Sequence, residues 1–178
     1  YFRTDTLPVG FSADLMVTRH YTQKDYPFIF TNGVQASYVE VDPDTGFVKL
    51  LKHWAVEDCG RVINPMLVNE QVRGAIVQGI GGALFEECLY DDSGLLRNGS
   101  MADYLVPMAN EMPDIEVAHV ETPTQSSKLG AKGAGEAGTA GAPGAVQNAI
   151  NDALAPFNAT VFEQPITSEK ILRALKKI

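Results

Sequence analysis

The sequence predicts an α+β fold in which a β-hairpin or mixed sheet packs with about three helices. Three observations support this prediction: an alternating strand pair around a turn, a long stretch with apolar residues at every fourth position, and an amphipathic segment near the C-terminus. With 178 residues, 45% of them hydrophobic and 20% charged, the chain can bury a core without disulfides or metals.

The hairpin is predicted over residues 34–56. Val39 and Val41 alternate with polar neighbours, and the turn sequence DPDTG follows at 42–46. Proline presets φ for such a turn and glycine accepts a positive φ. The second strand carries the longer apolar stretch and is expected to be the more buried. Two weaker strands are expected over 11–17 and 26–30.

The first helix is predicted to begin at Asn64, the N-cap, with Pro65 at its first position, and to run to Glu87 or Cys88. Its apolar stripe consists of Val68, Val72, Ile76, Ile80 and Leu84. The later elements are a turn at 91–94, a strand over 115–120, a helix from Pro143 to Pro156 with Val146, Ile150 and Leu154 inward, a short strand over 160–162 and a last helix capped by Thr167.

Charge and composition exclude several classes of function. The net charge of −8 and the pI near 4.8 argue against nucleic acid as a partner. The longest nearly apolar run, 75–85, is far shorter than the roughly 20 residues of a membrane span. Two cysteines and three scattered histidines lack the spacing of a zinc site, so no residue is assigned as a metal ligand. The unpaired cysteines favour the cytoplasm, with the periplasm left open.

Four glycines interrupt the first helix, at Gly74, Gly79, Gly81 and Gly82. Each glycine inside a helix lowers helix stability by about 1 kcal/mol relative to alanine, so other interactions must offset this loss. One interpretation is that another element packs closely against the helix backbone. The other is that a ligand lies on the glycine face, where the amide of Gln78 suits the edge of a heterocycle. A Gln78 that simply points to solvent is the alternative for that residue.

The second cluster, with six of the 16 glycines, contains a formal GxGxxG pattern at Gly133, Gly135 and Gly138. A dinucleotide fold needs an apolar strand directly before such a loop, and the polar segment 122–127 is not one. A loop made mainly of glycine and alanine can approach a ligand closely. Glu136, in the middle of this loop, can serve as a general base. The alternative is a glutamate placed in the first turn of a helix, where the macrodipole favours it.

Three ordered segments carry a family resemblance: GRVINP at 60–65, QGIGGALFEE at 78–87 and GAKGAGEAGTAGAP at 130–143. Together they resemble the C-terminal part of the molybdenum-binding (molybdopterin) subunit of the xanthine dehydrogenase/aldehyde oxidase family. That family includes the carbon monoxide dehydrogenase large chains. The likeness runs over 34–178, and residues 1–33 fit the same region more loosely.

The resemblance implies that residues 1–178 are the C-terminal portion of a molybdopterin-binding domain in a molybdenum hydroxylase. Such an enzyme oxidises an aldehyde, an N-heterocycle or a similar small substrate with oxygen derived from water. Glu136 would be its general base, Gln78 would contact the pterin, and Gly133, Ala134 and Gly135 would pack against the metal end. The cofactor would be molybdopterin or its dinucleotide form.

The resemblance also implies what lies elsewhere. The family's other cofactor loops and its substrate pocket have no counterpart here, so the chain is expected to be inactive alone. The remainder of the molybdenum subunit, with modules carrying iron–sulfur clusters and FAD, would complete the enzyme. The alternative hypothesis is a non-catalytic, free-standing domain that keeps the fold for assembly or partner binding.

Overall fold

The structure, a computed structural model, describes residues 8–11, 16–22 and 29–178. The strands expected over 11–17 and 26–30 fall largely outside these residues. Within them the α+β prediction is confirmed: a three-stranded mixed sheet packs with three α-helices. None of the described helices is both long and apolar enough to cross a bilayer.

The sheet has the order β1-β2-β3. Strand β1 (Asn32–Val41) is antiparallel to β2 (Val48–Asp58), and β3 (Ile115–His119) is parallel to β2. The predicted turn is present, because the Asp42 carboxylate accepts hydrogen bonds from its neighbours and Gly46 has a φ of +70°. The central position of β2 makes it the more buried strand of the hairpin, as predicted.

Helix α1 (Pro65–Leu84) begins where the sequence predicts, with Asn64 Oδ1 accepting a hydrogen bond from the Leu67 amide at 3.2 Å. It ends earlier than Glu87. The Phe85 and Glu86 amides both donate to the Gly81 carbonyl, at 2.9 and 2.8 Å, which closes the last turn. The apolar stripe predicted for α1 faces the core.

The predicted start of the next helix at Pro143 is wrong. Helix α2 (Ala137–Leu154) begins six residues earlier and contains Pro143 in its interior. Proline has no N–H to donate to the carbonyl four residues back, here that of Thr139. That carbonyl lies instead against the Cα of Gly79 in α1: a Cβ built on Gly79 would be 2.8 Å from it. The packing of α1 against α2 therefore coincides with the point where Pro143 leaves one helical hydrogen bond unmade.

The short strand predicted over 160–162 is absent from the structure. The side chain of Asn151 in α2 forms hydrogen bonds with the backbone of Val161, as a neighbouring strand would. Its Oδ1 accepts from the Val161 amide at 2.9 Å, and its Nδ2 donates to the Val161 carbonyl at 3.0 Å. The last helix, α3 (Ser168–Ala174), is capped by Thr167 as predicted.

Candidate active site

The two glycine clusters meet where α1 packs against α2. A Cβ built on Gly79 would lie 2.9 Å from Ala142 Cβ, and one built on Gly138 would lie 2.6 Å from the Val72 carbonyl oxygen and 2.9 Å from Ala75 Cβ. Such distances are too short for a side chain, so both positions require glycine for the helices to approach. We call Gly79 and Gly138 the helix seam. For Gly79, the close-packing interpretation is therefore correct.

A second face of α1 is open. Gly74, Gln78 and Gly82 are spaced by four residues and are all exposed. A Cβ built on Gly74 or Gly82 would meet no described atom within 4 Å. We call these three residues, together with Gln71, the open face of α1. Gln78 thus lies at the surface and its amide is accessible to a ligand, so the structure agrees with both interpretations of this residue.

The base of the second glycine loop is anchored by a buried ion pair. Lys132 Nζ lies 3.0 Å from Asp58 Oδ2 at the end of β2, and it donates to Thr122 Oγ1 at 2.6 Å. The Thr122 hydroxyl also donates to Asp58. The side chains of Asp58 and Lys132 are about nine-tenths buried. The Thr122 hydrogen bond, followed by that from Lys132, holds the pKa of Asp58 well below its ordinary value.

The tip of this loop lies beside the open face of α1. Gln71 Nε2 donates to the Gly135 carbonyl at 3.1 Å. Gly133 and Gly135 are exposed and Ala134 is half-buried, and a Cβ on either glycine would meet no described atom within 4 Å. Gln71 lies two turns before Gln78, about 10 Å along the helix axis. The predicted loop and the helix carrying the predicted glutamine are therefore in direct contact.

Sequence reasoning missed Gln71. The available signal was its spacing: Gln71 and Gln78 are seven residues apart, which places both on one side of a helix. Without knowledge of what lies opposite that side, the spacing alone did not distinguish Gln71 from any other exposed polar residue.

Glu136 is the N-cap residue of α2. Its backbone angles, φ −111° and ψ 0°, differ from the extended conformation usual at an N-cap, and its side chain makes no capping hydrogen bond. The residue is exposed and directly follows Gly135. The alternative considered for Glu136 places it in the first turn of a helix; the structure places it one position before that turn, at the N-cap. The carboxylate has no capping role and lies at the N-terminal end of α2.

The loop does not have the setting of a dinucleotide-binding fold. Strand β3 ends at His119, and the segment between it and Gly130 contains turns, with the Thr124 amide donating to the Gly130 carbonyl at 3.1 Å. A dinucleotide loop follows its strand directly. The local geometry therefore does not support nucleotide binding here.

Comparison with known proteins matches this chain to a protein family. A profile of the molybdopterin cofactor-binding domain matches residues 8–113, more than half of the chain. The matched region includes the hairpin, α1 and Gln78, and it ends before the loop that carries Glu136.

Relatives of known name match over nearly the whole chain. It is 46% identical over 178 residues to the nicotine 6-hydroxylase large subunit of Paenarthrobacter nicotinovorans, covering 100% of this chain and 22% of that protein. It is 31% identical over 170 residues to the carbon monoxide dehydrogenase large chain of Hydrogenophaga pseudoflava, covering 96% of this chain and 21% of that one.

A solved structure shares the fold. Quinoline 2-oxidoreductase from Pseudomonas putida 86 superposes with a TM-score of 0.84 at 43% identity, covering 99% of this chain and 22% of that chain. The present chain thus spans about a fifth of the length of the relatives it matches.

Proposed function

This chain belongs to the family of molybdopterin cofactor-binding domains, and on that premise we propose that it forms one wall of the active site of a molybdenum hydroxylase. The observation that carries the proposal is the contact between Gln71 and Gly135, which brings Glu136 and the glycine loop to the open face of α1. A binding surface and a candidate base thereby adjoin.

The residues on this surface fit a molybdenum–pterin group. The exposed Gln78 amide offers both a donor and an acceptor to a heterocycle edge. Gly133 and Gly135 leave their surroundings free of side-chain atoms, and their backbone can approach a ligand closely. We propose that Gln78, Gly133, Ala134 and Gly135 hold the group. When bound, it supplies the redox chemistry of the reaction.

Glu136 is the proposed general base. Its carboxylate is exposed, makes no cap to α2 and lies at the end of the proposed cofactor loop. In this role an Oε atom takes the proton of the water-derived oxygen that becomes bonded to the substrate carbon. The Lys132–Asp58 ion pair holds the loop entry, so the carboxylate is presented from a fixed backbone.

The substrate class we propose is an aromatic N-heterocycle or an aldehyde. Two relatives are named for nicotine and quinoline, both of which are N-heterocycles. Because this chain spans about a fifth of its relatives, we expect the rest of a molybdenum subunit, and modules with iron–sulfur clusters and FAD, to complete a cytoplasmic enzyme. Alone, the 178-residue chain should retain no molybdenum and show no turnover.

The test of the base is Glu136→Gln in the complete molybdenum enzyme. We expect turnover to fall by about 10²- to 10⁴-fold while the molybdenum content per protein stays normal. Glu169→Gln, which alters an exposed glutamate in the first turn of α3, is the matched control and should leave turnover unchanged. Near-normal turnover of Glu136→Gln would refute the assignment.

The test of the cofactor contact is Gln78→Ala in the same enzyme. Loss of the amide should lower the molybdenum content without lowering the yield of folded protein. Unchanged molybdenum content would show that Gln78 does not contact the pterin.

A further inference from the structure

A partly buried array of polar side chains lies on the sheet side of the first turn of α2. Ser37 Oγ is 2.8 Å from His53 Nδ1, His53 Nε2 is 3.1 Å from Gln35 Oε1, and Gln35 Nε2 is 3.1 Å from Glu57 Oε1. His53 is 0% exposed and Glu57 is 2% exposed. We call these four residues the polar array. None of them has a part in the function proposed above.

The hydrogen bonds of the polar array have a defined direction. An amide oxygen only accepts, so His53 donates to Gln35 through Nε2. Burial lowers the pKa of His53 to about 4, so the ring is neutral and its Nδ1 accepts from the Ser37 hydroxyl. The Gln35 oxygen is thus committed to His53, and its NH₂ group faces the opposite way.

The NH₂ group of Gln35 reaches α2. Its Nε2 donates to the Gly138 carbonyl at 3.0 Å and lies 3.5 Å from the Ala137 carbonyl. These two carbonyls belong to the first turn of the helix, immediately after Glu136. A side chain of β1 thereby holds the backbone next to the proposed base.

Glycines leave room for this contact. A Cβ built on Gly141 of α2 would lie 2.8 Å from Gln35 Cδ, and one built on Gly33 of β1 would collide with the Glu57 carboxylate. Gly141 is part of the second glycine cluster and is not used by the helix seam. Its lack of a side chain is explained by the approach of the Gln35 amide.

We propose that Gln35 is a positioning residue for Glu136, acting through the first turn of α2. The inference rests on the proposed function, because it assumes that the Glu136 carboxylate reacts. The physical reason is that the hydrogen bond fixes the carbonyl of Gly138, two residues from Glu136. A displacement of about 1 Å at a reacting group can lower a rate about a hundredfold.

The first test is Gln35→Leu in the complete molybdenum enzyme. We expect kcat to fall about ten- to a hundredfold with KM and molybdenum content unchanged. Gln147→Leu, which removes another side-chain amide of α2, bonded to Gln164, should leave kcat unchanged. Should Gln35→Leu fail to fold, Gly141→Ala displaces the same amide and replaces it in the test. An unchanged kcat in a folded variant would overturn the proposal.

A double mutant separates this proposal from the proposed function. If Gln35 acts through Glu136, then Gln35→Leu should cause no further loss of kcat in an enzyme that already carries Glu136→Gln. The same fractional loss in both backgrounds would mean that Gln35 has only a structural role, which overturns the inference. Normal turnover of Glu136→Gln alone would instead refute the proposed base.

The conservative variant Gln35→Glu adds a pH profile. Its carboxylate would face Glu57 and the Gly138 carbonyl, with His53 on β2 and His119 on β3 as the other titratable neighbours. Protonation restores a donor and removes the repulsion. The ratio of its kcat to that of the native enzyme should therefore rise as the pH falls, whereas the ratio for Gln35→Leu stays flat. Flat ratios for both would overturn the proposal.

Hydrogen exchange of the 178-residue chain provides a readout without activity. Gln35→Leu should speed exchange of the amides at 141 and 142, which bond to the carbonyls of Ala137 and Gly138, relative to the last turn of α2. If the exchange rates at 141 and 142, measured relative to the last turn of α2, are the same in the native and variant chains, the inference is overturned.

Discussion

The helix seam and the open face of α1 use glycine for opposite reasons, although both include glycines of α1. At the seam, Gly79 and Gly138 let two backbones approach to distances that exclude a Cβ. On the open face, a Cβ built on Gly74 or Gly82 would meet no described atom of another element within 4 Å. Helix packing therefore offsets the cost of the seam glycines. The cost of the open-face glycines has no such compensation within the described residues, and the proposed cofactor would supply it.

The largest effect should come from closing the seam. Gly138→Val would place a branched side chain against the Val72 backbone oxygen, which cannot move away, so we expect a loss of about 3 kcal/mol in the free energy of unfolding by urea. Gly144→Val in the same helix meets no described atom within 4 Å and should change stability by less than about 0.5 kcal/mol. Equal effects would remove the distinction between packed and open glycines.

The ion pair that anchors the loop should contribute a pH-dependent stability. The folded pKa of Asp58 is lowered, so its stabilisation is present above the unfolded pKa of about 3.9 and is lost as the pH falls below that value. Asp58→Asn should therefore lower the free energy of unfolding by about 1–3 kcal/mol at neutral pH, and by progressively less below pH of about 4. The measurement is the free energy of unfolding by urea for the native chain and the variant, at neutral pH and at pH values below about 4.

The control for the ion pair is Asp44→Asn, which removes an exposed partner of Lys177. It should have little effect at any pH, because exposed ion pairs contribute about 0–1 kcal/mol. A loss for Asp58→Asn that is independent of pH would show that packing, rather than charge, accounts for the anchor.

Substitution on the open face should have a smaller effect of opposite sign. Gly82→Ala should stabilise the 178-residue chain by about 0.5–1 kcal/mol, because alanine has the higher helix propensity and space is available. In the complete enzyme the same change should lower the molybdenum content. Normal molybdenum content in a stabilised chain would show that no cofactor lies on this face.

The smallest change should follow Gln71→Leu. Its hydrogen bond to the Gly135 carbonyl lies at the surface, so the free energy of unfolding should change by less than about 0.5 kcal/mol. Amide exchange at 133–136 should nevertheless become faster, because the loop tip loses its link to α1. Glu70→Gln, on the neighbouring exposed position, is the control and should leave loop exchange unchanged.

Elements with local signals were predictable. Asn64 and Pro65 mark the start of α1, the DPDTG turn marks the hairpin, and Thr167 marks the start of α3, because caps and turns act through neighbours in sequence. The start of α2 was not predictable in this way. Pro143 normally indicates a helix beginning, and the packing of Gly79 against the carbonyl of Thr139, which accompanies the helix at this point, is a contact between distant segments.

The candidate site divides in the same way. Residue type and spacing along single segments predicted the α+β class, the two glycine clusters and the candidates Gln78 and Glu136, and the family resemblance added the 133–135 loop. Which glycines are packed and which are open depends on the contact between α1 and α2, which the sequence pattern does not contain. The tertiary structure alone revealed Gln71 and Gln35, since their partners at Gly135 and Gly138 are 64 and 103 residues away and hydrogen bonds over such separations depend on the fold.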